Sequence, residues 1–255
     1  MKKRNAHYDT YDYPAYWKGR DYEHESEVIA LQSFLQSVKK LGTIADVGGG
    51  FGRLIPYYLP KAQKIILAEP SNALIDVAKQ TFKKNKSVGF VQTTVEDLPH
   101  NIKENSLDAV SMVRVMHHLS DPEASIKTLA KMLKKDGLLI LEFANKIHGK
   151  ALVQNVCRGD FFFSLDKTPT DRRCVENKTD ETISFYNYHP DTIFNALKSA
   201  NLKVKHIRSV SNIRNHFFKK HVPFKVLLEM ESALQVPLAK IYFGPSIFIL
   251  AQKQG

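Results

Sequence analysis

The feature that constrains this chain most is a glycine-rich bend, Ile44-Ala45-Asp46-Val47-Gly48-Gly49-Gly50-Phe51-Gly52-Arg53-Leu54. A short apolar run ends in an acid and opens into a loop with glycines at 48, 49, 50 and 52. That layout predicts a strand feeding a tight turn and then a helix N-terminus. Glycine in such a turn permits positive φ and removes the Cβ atoms that would hold a bound molecule off the backbone. The register does not fit a dinucleotide fingerprint, which needs G-x-G-x-x-G. Counting from Gly48 the sixth position is Arg53, and counting from Gly50 it is Ile55. The spacing is D-x-G-x-G-x-G, at Asp46, Gly48, Gly50 and Gly52.

Around this bend, apolar runs alternate with helical periodicity. Strands are expected near 43–47, 64–69, 88–93, 108–112, 138–143, 202–209 and 246–252. Helices are expected over 22–40, after Ser71 with Leu74, Val77, Ala78 and Phe82 on the apolar face, and near 190–199. Another begins at Ser120-Asp121-Pro122-Glu123, which places Pro in the first turn and Glu three residues after Ser. It ends at Lys134-Lys135-Asp136-Gly137. Such alternation implies α/β architecture, a mostly parallel sheet with helices on both faces. Residues 146–184 break the pattern and read as a lid, irregular and polar apart from Phe161-Phe162-Phe163. A helical excursion is expected at 215–240. The expected organisation is one domain, 1–255: an N-terminal cap and helix at 1–40, a core at 41–145, and lid insertions at 146–184 and 210–240.

Composition excludes several classes. The 255 residues are 43% hydrophobic and 25% charged, ordinary for a soluble domain. No apolar run approaches a membrane span, and the basic start Met1-Lys2-Lys3-Arg4 leads into no signal-peptide core. A cytoplasmic location is the expectation. Cys157 and Cys174 show no metal-ligand spacing, so neither a metal nor a disulfide is expected. The net charge of +11 is concentrated. Between Thr192 and Leu228 stand Lys198, Lys203, Lys205, Arg208, Arg214, Lys219, Lys220 and Lys225, with no acid among them.

The glycine motif resembles that of the class I S-adenosylmethionine-dependent methyltransferases, and the likeness extends along residues 44–143. Glu69 closes the second strand before Pro70. An acid there can grip both hydroxyls of a ribose, and the resemblance implies that role. Thr94-Val95-Glu96-Asp97-Leu98-Pro99 partly matches the acidic turn beside the adenine, with Thr94 where an Asp is usual. The resemblance implies contacts from the Val95 backbone and from Glu96. Val115-Met116-His117-His118-Leu119-Ser120-Asp121-Pro122 and Lys134-Lys135-Asp136-Gly137-Leu138-Leu139 are similar to segments of the methyltransferase type 11, or UbiE-like, group. The implied fold is a Rossmann-like seven-stranded sheet, and the implied cofactor is S-adenosyl-L-methionine.

Several residues carry two readings. His117 is a base or acceptor-orienting candidate, or a packing residue like His118. Arg114, just past a central strand, suits a substrate carboxylate or phosphate, or else a salt bridge to the lid. The aromatics Tyr13, Tyr16 and Trp17 resemble a cap folded over the cofactor, with Arg20 pairing the methionine carboxylate and Tyr16 beside it, and Tyr13 and Trp17 toward the acceptor. The alternative is a surface strap. Asn212–His221 interleaves cations and aromatics, which fits nucleic-acid or membrane contact, or a solvated helix with Phe217 and Phe218 under the lid.

The expected activity is methyl transfer to a small molecule held under residues 8–22, 146–184 and 210–240. An RNA substrate engaged by the basic C-terminal third is the alternative, and a non-catalytic cofactor-binding protein is a third reading. Met112-Val113-Arg114-Val115 replaces the Asn/Asp-Pro-Pro-Tyr/Phe element expected for methylation of an exocyclic base amine. Oligomeric state is not encoded in these motifs.

Overall fold

The apolar runs become strands buried on both faces, as parallel sheets covered by helices require. The computed structural model describes residues 12–173 and 184–255. The central strands are β1 (Leu41–Val47), β2 (Ala62–Glu69), β3 (Val88–Gln92), β4 (Leu107–Met112) and β5 (Leu133–Ala144). A two-stranded ribbon, β6 (Thr170–Asp171) with β7 (Tyr186–Asn187), precedes β8 (Leu202–Val210) and β9 (Ser246–Lys253). The seven-stranded sheet has the order β3-β2-β1-β4-β5-β9-β8, with β9 antiparallel to both neighbours. The expected fold class is the observed one.

Helices cover both faces: α1 (Tyr13–Tyr16), α2 (Asp21–Gln36), α3 (Ile55–Tyr58), α4 (Asn72–Phe82), α5 (Leu98–Asn101), α6 (Pro122–Met132), α7 (Gly149–Cys157), α8 (Pro190–Ser199), α9 (His216–His221) and α10 (Phe224–Ala239). One core gathers Val110, Leu141, Ile126 and Ile193; the other gathers Leu31, Phe34, Ile44, Ile65 and Phe248. No helix among the described residues is long and apolar enough to cross a membrane.

Local chemistry explains where expectation and structure part. The helix after the glycine bend is the single turn α3: Pro56 sits in its first turn, where proline is tolerated, and Pro60 just past its end has no N–H to continue it. α6 is capped by Asp121, whose Oδ1 accepts from Ala124 N at 2.9 Å, rather than by Ser120. An acid immediately before Pro122 is already in cap position. Lys134–Gly137 loops out within β5: Leu107 pairs with Leu133, then Ala109 with Leu138. Asp136 turns that corner at φ +61°. The excursion at 215–240 divides into α9 and α10 at Pro223. The lid is less irregular than expected, containing α7 and the ribbon. Tyr8, Cys174 and the rest of 1–11 and 174–183 lie outside the described residues.

The C-terminal helices are anchored by Glu231, fully buried on α10. Its carboxylate accepts from Tyr22 Oη (2.6 Å), Ser211 N (2.8 Å) and Asn212 N (3.0 Å), tying α10 to α2 and to the end of β8. Glu231→Ala strands two buried donors, Tyr22 Oη and Ser211 N, and the half-buried Asn212 N, and each buried orphan costs about 1–3 kcal/mol. Urea unfolding is expected to show a loss of roughly 3 kcal/mol or more.

Candidate active site

β1 and β4 are neighbours, but their following connections leave on opposite sides of the sheet. This makes the carboxyl ends of β1 and β4 the topological switch point where ligands of open α/β sheets bind. The glycine bend lies there, and its glycines are not equivalent. Gly48, Gly50 and Gly52 have φ of +67°, +58° and +82°. A Cβ on Gly48 would lie 2.3 Å from Val115 Cγ2, and one on Gly52 would lie 2.7 Å from Phe82. Those two are needed for packing. The nearest atoms to a Cβ on Gly50 would be the Tyr13 ring at 3.3–3.5 Å and Leu74 at 3.9 Å, so this buried glycine is less crowded than Gly48 and Gly52 and lies under Tyr13 of the strap.

Two buried acids flank the bend. Glu69, 3% exposed at the end of β2, accepts from Gly50 N (2.9 Å) and Ser71 N (3.0 Å). Asp46 is buried beneath the loop, with Tyr58 Oη 3.4 Å from its Oδ1. Its Oδ2 has no hydrogen-bond partner. Burial pushes Asp46 up to about 7, against a lesser downward pull from Arg53.

A third acid organises the cap. Glu27 on α2 is completely buried and bonds Arg53 through Oε2 (2.6 Å) and Arg114 through Oε1 (2.5–2.6 Å). Burial alone would raise its carboxyl, but the two guanidiniums hold it below the ordinary value. Trp17 lies on this ion cluster, with Arg53 Cζ 3.7 Å and Arg114 Cζ 5.2 Å from its ring centroid. Arg114 has a left-handed backbone, φ +64°, and its N–H donates to Glu142 Oε2 at 2.8 Å.

Beside Arg114 opens a cavity of about 240 Å³, whose walls include Tyr16, His117, Glu142, His148, Phe185 and Asn187. Glu142, on β5, is 1% exposed and also accepts from Ser246 Oγ at 2.7 Å; burial raises its carboxyl. His117 packs on His118 (3.9 Å) and Phe185 (4.4 Å), measured between ring centroids. Burial, then His118 and Arg114, hold its imidazole well below its usual range. A larger groove of about 480 Å³ opens at the opposite edge of the sheet, by Lys39, Lys40 and the start of β1, away from all of these groups.

The expected site residues sort as follows. Asp46, Gly48, Gly50, Gly52, Glu69 and Pro70 gather at the carboxyl ends of β1 and β2. Val95 is buried in the core by its side chain, and Glu96 beside it is exposed. Tyr13 and Tyr16 exchange places: Tyr13 lies against Gly50, and Tyr16 lines the cavity. Trp17 is a correction. It is 9% exposed and stacked on Arg53, so it packs the cap instead of facing an acceptor. Arg114 lines the cavity, but its partner is Glu27 of α2 rather than the lid. Arg20 lies 4.0 Å over Tyr16. His117 reaches the cavity, although a base works best with a pKa near the operating pH. Phe217 and Phe218, 63% and 44% exposed, are not under the lid.

Glu27, Glu142 and His148 escaped the sequence reading. Glu27 shares a helical face with Leu31 and Phe34, and Glu142 interrupts the apolar run Leu138–Phe143. An acid in an apolar stripe was the available signal in both cases.

Residues 45–141 match the family described as a methyltransferase domain, type 11. The chain is 25% identical to the tRNA 5-carboxymethoxyuridine methyltransferase of Escherichia coli O157:H7 over 217 residues, 82% of this chain and 79% of that one. It is 29% identical to the ubiquinone/menaquinone biosynthesis C-methyltransferase UbiE of Campylobacter jejuni over 61% of this chain and 64% of the relative. A candidate S-adenosylmethionine-dependent methyltransferase from Listeria monocytogenes superposes with a TM-score of 0.64 at 15% identity, over 92% of this chain and 100% of its own. Residues 45–141 are thus a methyltransferase domain, and the chain is similar to S-adenosylmethionine-dependent methyltransferases. Its site fits that cofactor: a Cβ on Gly50 would close on the Tyr13 ring that covers it, Asp46 keeps an unpartnered oxygen, and Glu69 closes β2.

The raised Asp46 has a defined consequence for stability. Its folded pKa of about 7 lies above its unfolded value, so folding takes up a proton between the two. Its contribution is complete below the unfolded pKa and fades as pH rises through about 7. Thermal melts without cofactor should therefore show Asp46→Asn gaining on wild type between pH 5 and pH 8.

Proposed function

We propose that this enzyme methylates a small molecule bound in the cavity beside Arg114, Glu142 and His117. The observation that carries this reading is the cavity itself. It is walled by the cap residue Tyr16, the ends of β4 and β5, and the ribbon. A partly open cavity whose polar and charged walls are interrupted by the Tyr16 and Phe185 rings suits a small polar ligand.

When bound, the cofactor supplies an electrophilic methyl group with a neutral thioether as leaving group. The protein has to align, dry and hold. In this reading Glu69 takes the ribose hydroxyls. Asp46 and the backbone of Gly48, Gly50 and Gly52 receive the amino-acid end, with Arg20 over Tyr16 for its carboxylate. Pro70, Val95 and Glu96 flank the adenine. Tyr13 closes over the bend, and Tyr16 turns toward the acceptor. Alignment within a water-poor cavity accounts for most of the acceleration such a transfer needs. His117, kept neutral and weakly basic, orients the acceptor by hydrogen bonding instead of removing its proton.

A second reading makes the acceptor RNA. It draws on the similarity to the Escherichia coli tRNA methyltransferase and on exposed Lys220, Lys225 and Arg214. Lys219 contributes less, because it pairs with Glu23 at 2.5 Å. Salt-sensitive gel-shift binding to RNA would favour this second reading.

Calorimetry with S-adenosylhomocysteine tests the cofactor half. Glu69→Ala removes a charged acceptor of two ligand hydrogen bonds and is expected to weaken binding by roughly 100-fold. Equal affinity in the variant would refute the assigned role. Release of S-adenosylhomocysteine with metabolite fractions, and none with RNA, is the outcome expected for the acceptor half.

A further inference from the structure

The acceptor cavity is unevenly charged at its rim. Arg172, at the end of the ribbon strand β6, and Arg214, before α9, both line it and both are exposed. Arg114, the third lining arginine, spends its charge on Glu27. Among the described residues neither Arg172 nor Arg214 has a carboxylate within salt-bridge distance. Arg214 acts on Glu23 only at longer range, where Lys219 is already paired. The lining carboxylate, Glu142, is deeply buried and already accepts from Arg114 N and Ser246 Oγ.

Two neutral groups add donors to the same walls. Ser211, 3% exposed at φ +61°, has a buried Oγ with no hydrogen-bond partner. His148 caps α7, its Nδ1 accepting from Ala151 N at 3.3 Å. Burial, then Arg214 and Arg172, lower it to about 4, so at neutral pH it is uncharged, with its proton on Nε2. Its neighbours' effect on His148 places both guanidiniums within electrostatic reach of one imidazole. Two forked cations, a hydroxyl and an imidazole N–H form a donor-rich set, and among the described residues the one lining acid, Glu142, is already engaged by Arg114 and Ser246. Guanidinium forks match carboxylate and phosphate oxygens.

We propose that the acceptor carries an anionic group, a carboxylate or a phosphate, held between Arg172 and Arg214 with Ser211 and His148 as supporting donors. This rests on the acceptor cavity of the proposed function and specifies the chemical class admitted there. The anion is a recognition handle at the rim. The methyl-accepting atom lies deeper, toward His117 and Glu142.

The test uses benzoate, phenyl phosphate and uncharged benzamide with the S-adenosylhomocysteine-loaded protein, affinities being read by ligand-observed NMR at fixed ionic strength. At least one anion is expected to bind about tenfold or more tightly than benzamide, the effect of a charge-assisted hydrogen bond. Which anion wins separates a carboxylate handle from a phosphate handle. Arg172→Gln and Arg214→Gln, at exposed positions, should each remove most of that preference while leaving S-adenosylhomocysteine affinity intact. The His148 C2–H titration should move upward when the anion neutralises its cationic neighbours. Benzamide binding as tightly as both anions, or anion binding unchanged in both variants, would overturn the proposal. Anion preference without S-adenosylhomocysteine binding would support the clamp and overturn the cofactor reading instead.

Discussion

The buried carboxylate of Glu27 is the interaction on which the rest of the site depends. A lone ion in an interior costs several kcal/mol, and only well-placed opposite charges offset it. Glu27 has two, Arg53 from the glycine bend and Arg114 from the end of β4. One side chain of α2 thus locks the cap helix to both halves of the switch point. Trp17 stacks on the same guanidiniums and carries the strap with it. The strap then sets Tyr13 on Gly50 and Tyr16 on the wall of the cavity. Removing the carboxylate would leave two cations crowded beneath an aromatic ring, so the ion cluster specifies geometry more than it adds stability.

The cluster also contributes to the electrostatics of the cavity. Burial first, then His118 and the Arg114 guanidinium, hold His117 well below its usual range, so the cluster contributes the last of the three. The left-handed backbone of Arg114 turns its N–H onto Glu142, which fixes that acid at the cavity floor. A non-glycine residue in this conformation persists only where its surroundings over-determine it. Here the Glu27 ion pair and the Glu142 hydrogen bond supply that determination from opposite sides.

Much of the architecture was readable because its signals are local. Seven apolar runs and the caps at Ser71 and before Pro122 all act within a few residues of the chain. The glycine register named the cofactor class for the same reason, since each glycine answers a requirement of its own turn. Helix ends and breaks departed from expectation for local reasons, whereas the contacts of the cap departed because of long-range partners. Trp17 looked like an acceptor wall until Arg53 took its face, and Phe217 and Phe218 are exposed where a lid was expected over them. Glu27 and Glu142 sat unremarked in apolar stripes because their partners come from other elements.

The sequence by itself therefore determined the sheet, the bend and the acid that ends β2, since hydrophobic period and glycine spacing are properties of neighbouring residues. Only the tertiary structure decided which charges meet. The pairing of Glu27 with Arg53 and Arg114 spans α2, the glycine bend and the end of β4. The company of Arg172, Arg214, Ser211 and His148 joins the ribbon, the end of β8 and the cap of α7. Electrostatic partnerships depend on distance in space and on burial, and neither is written in the order of residues along the chain.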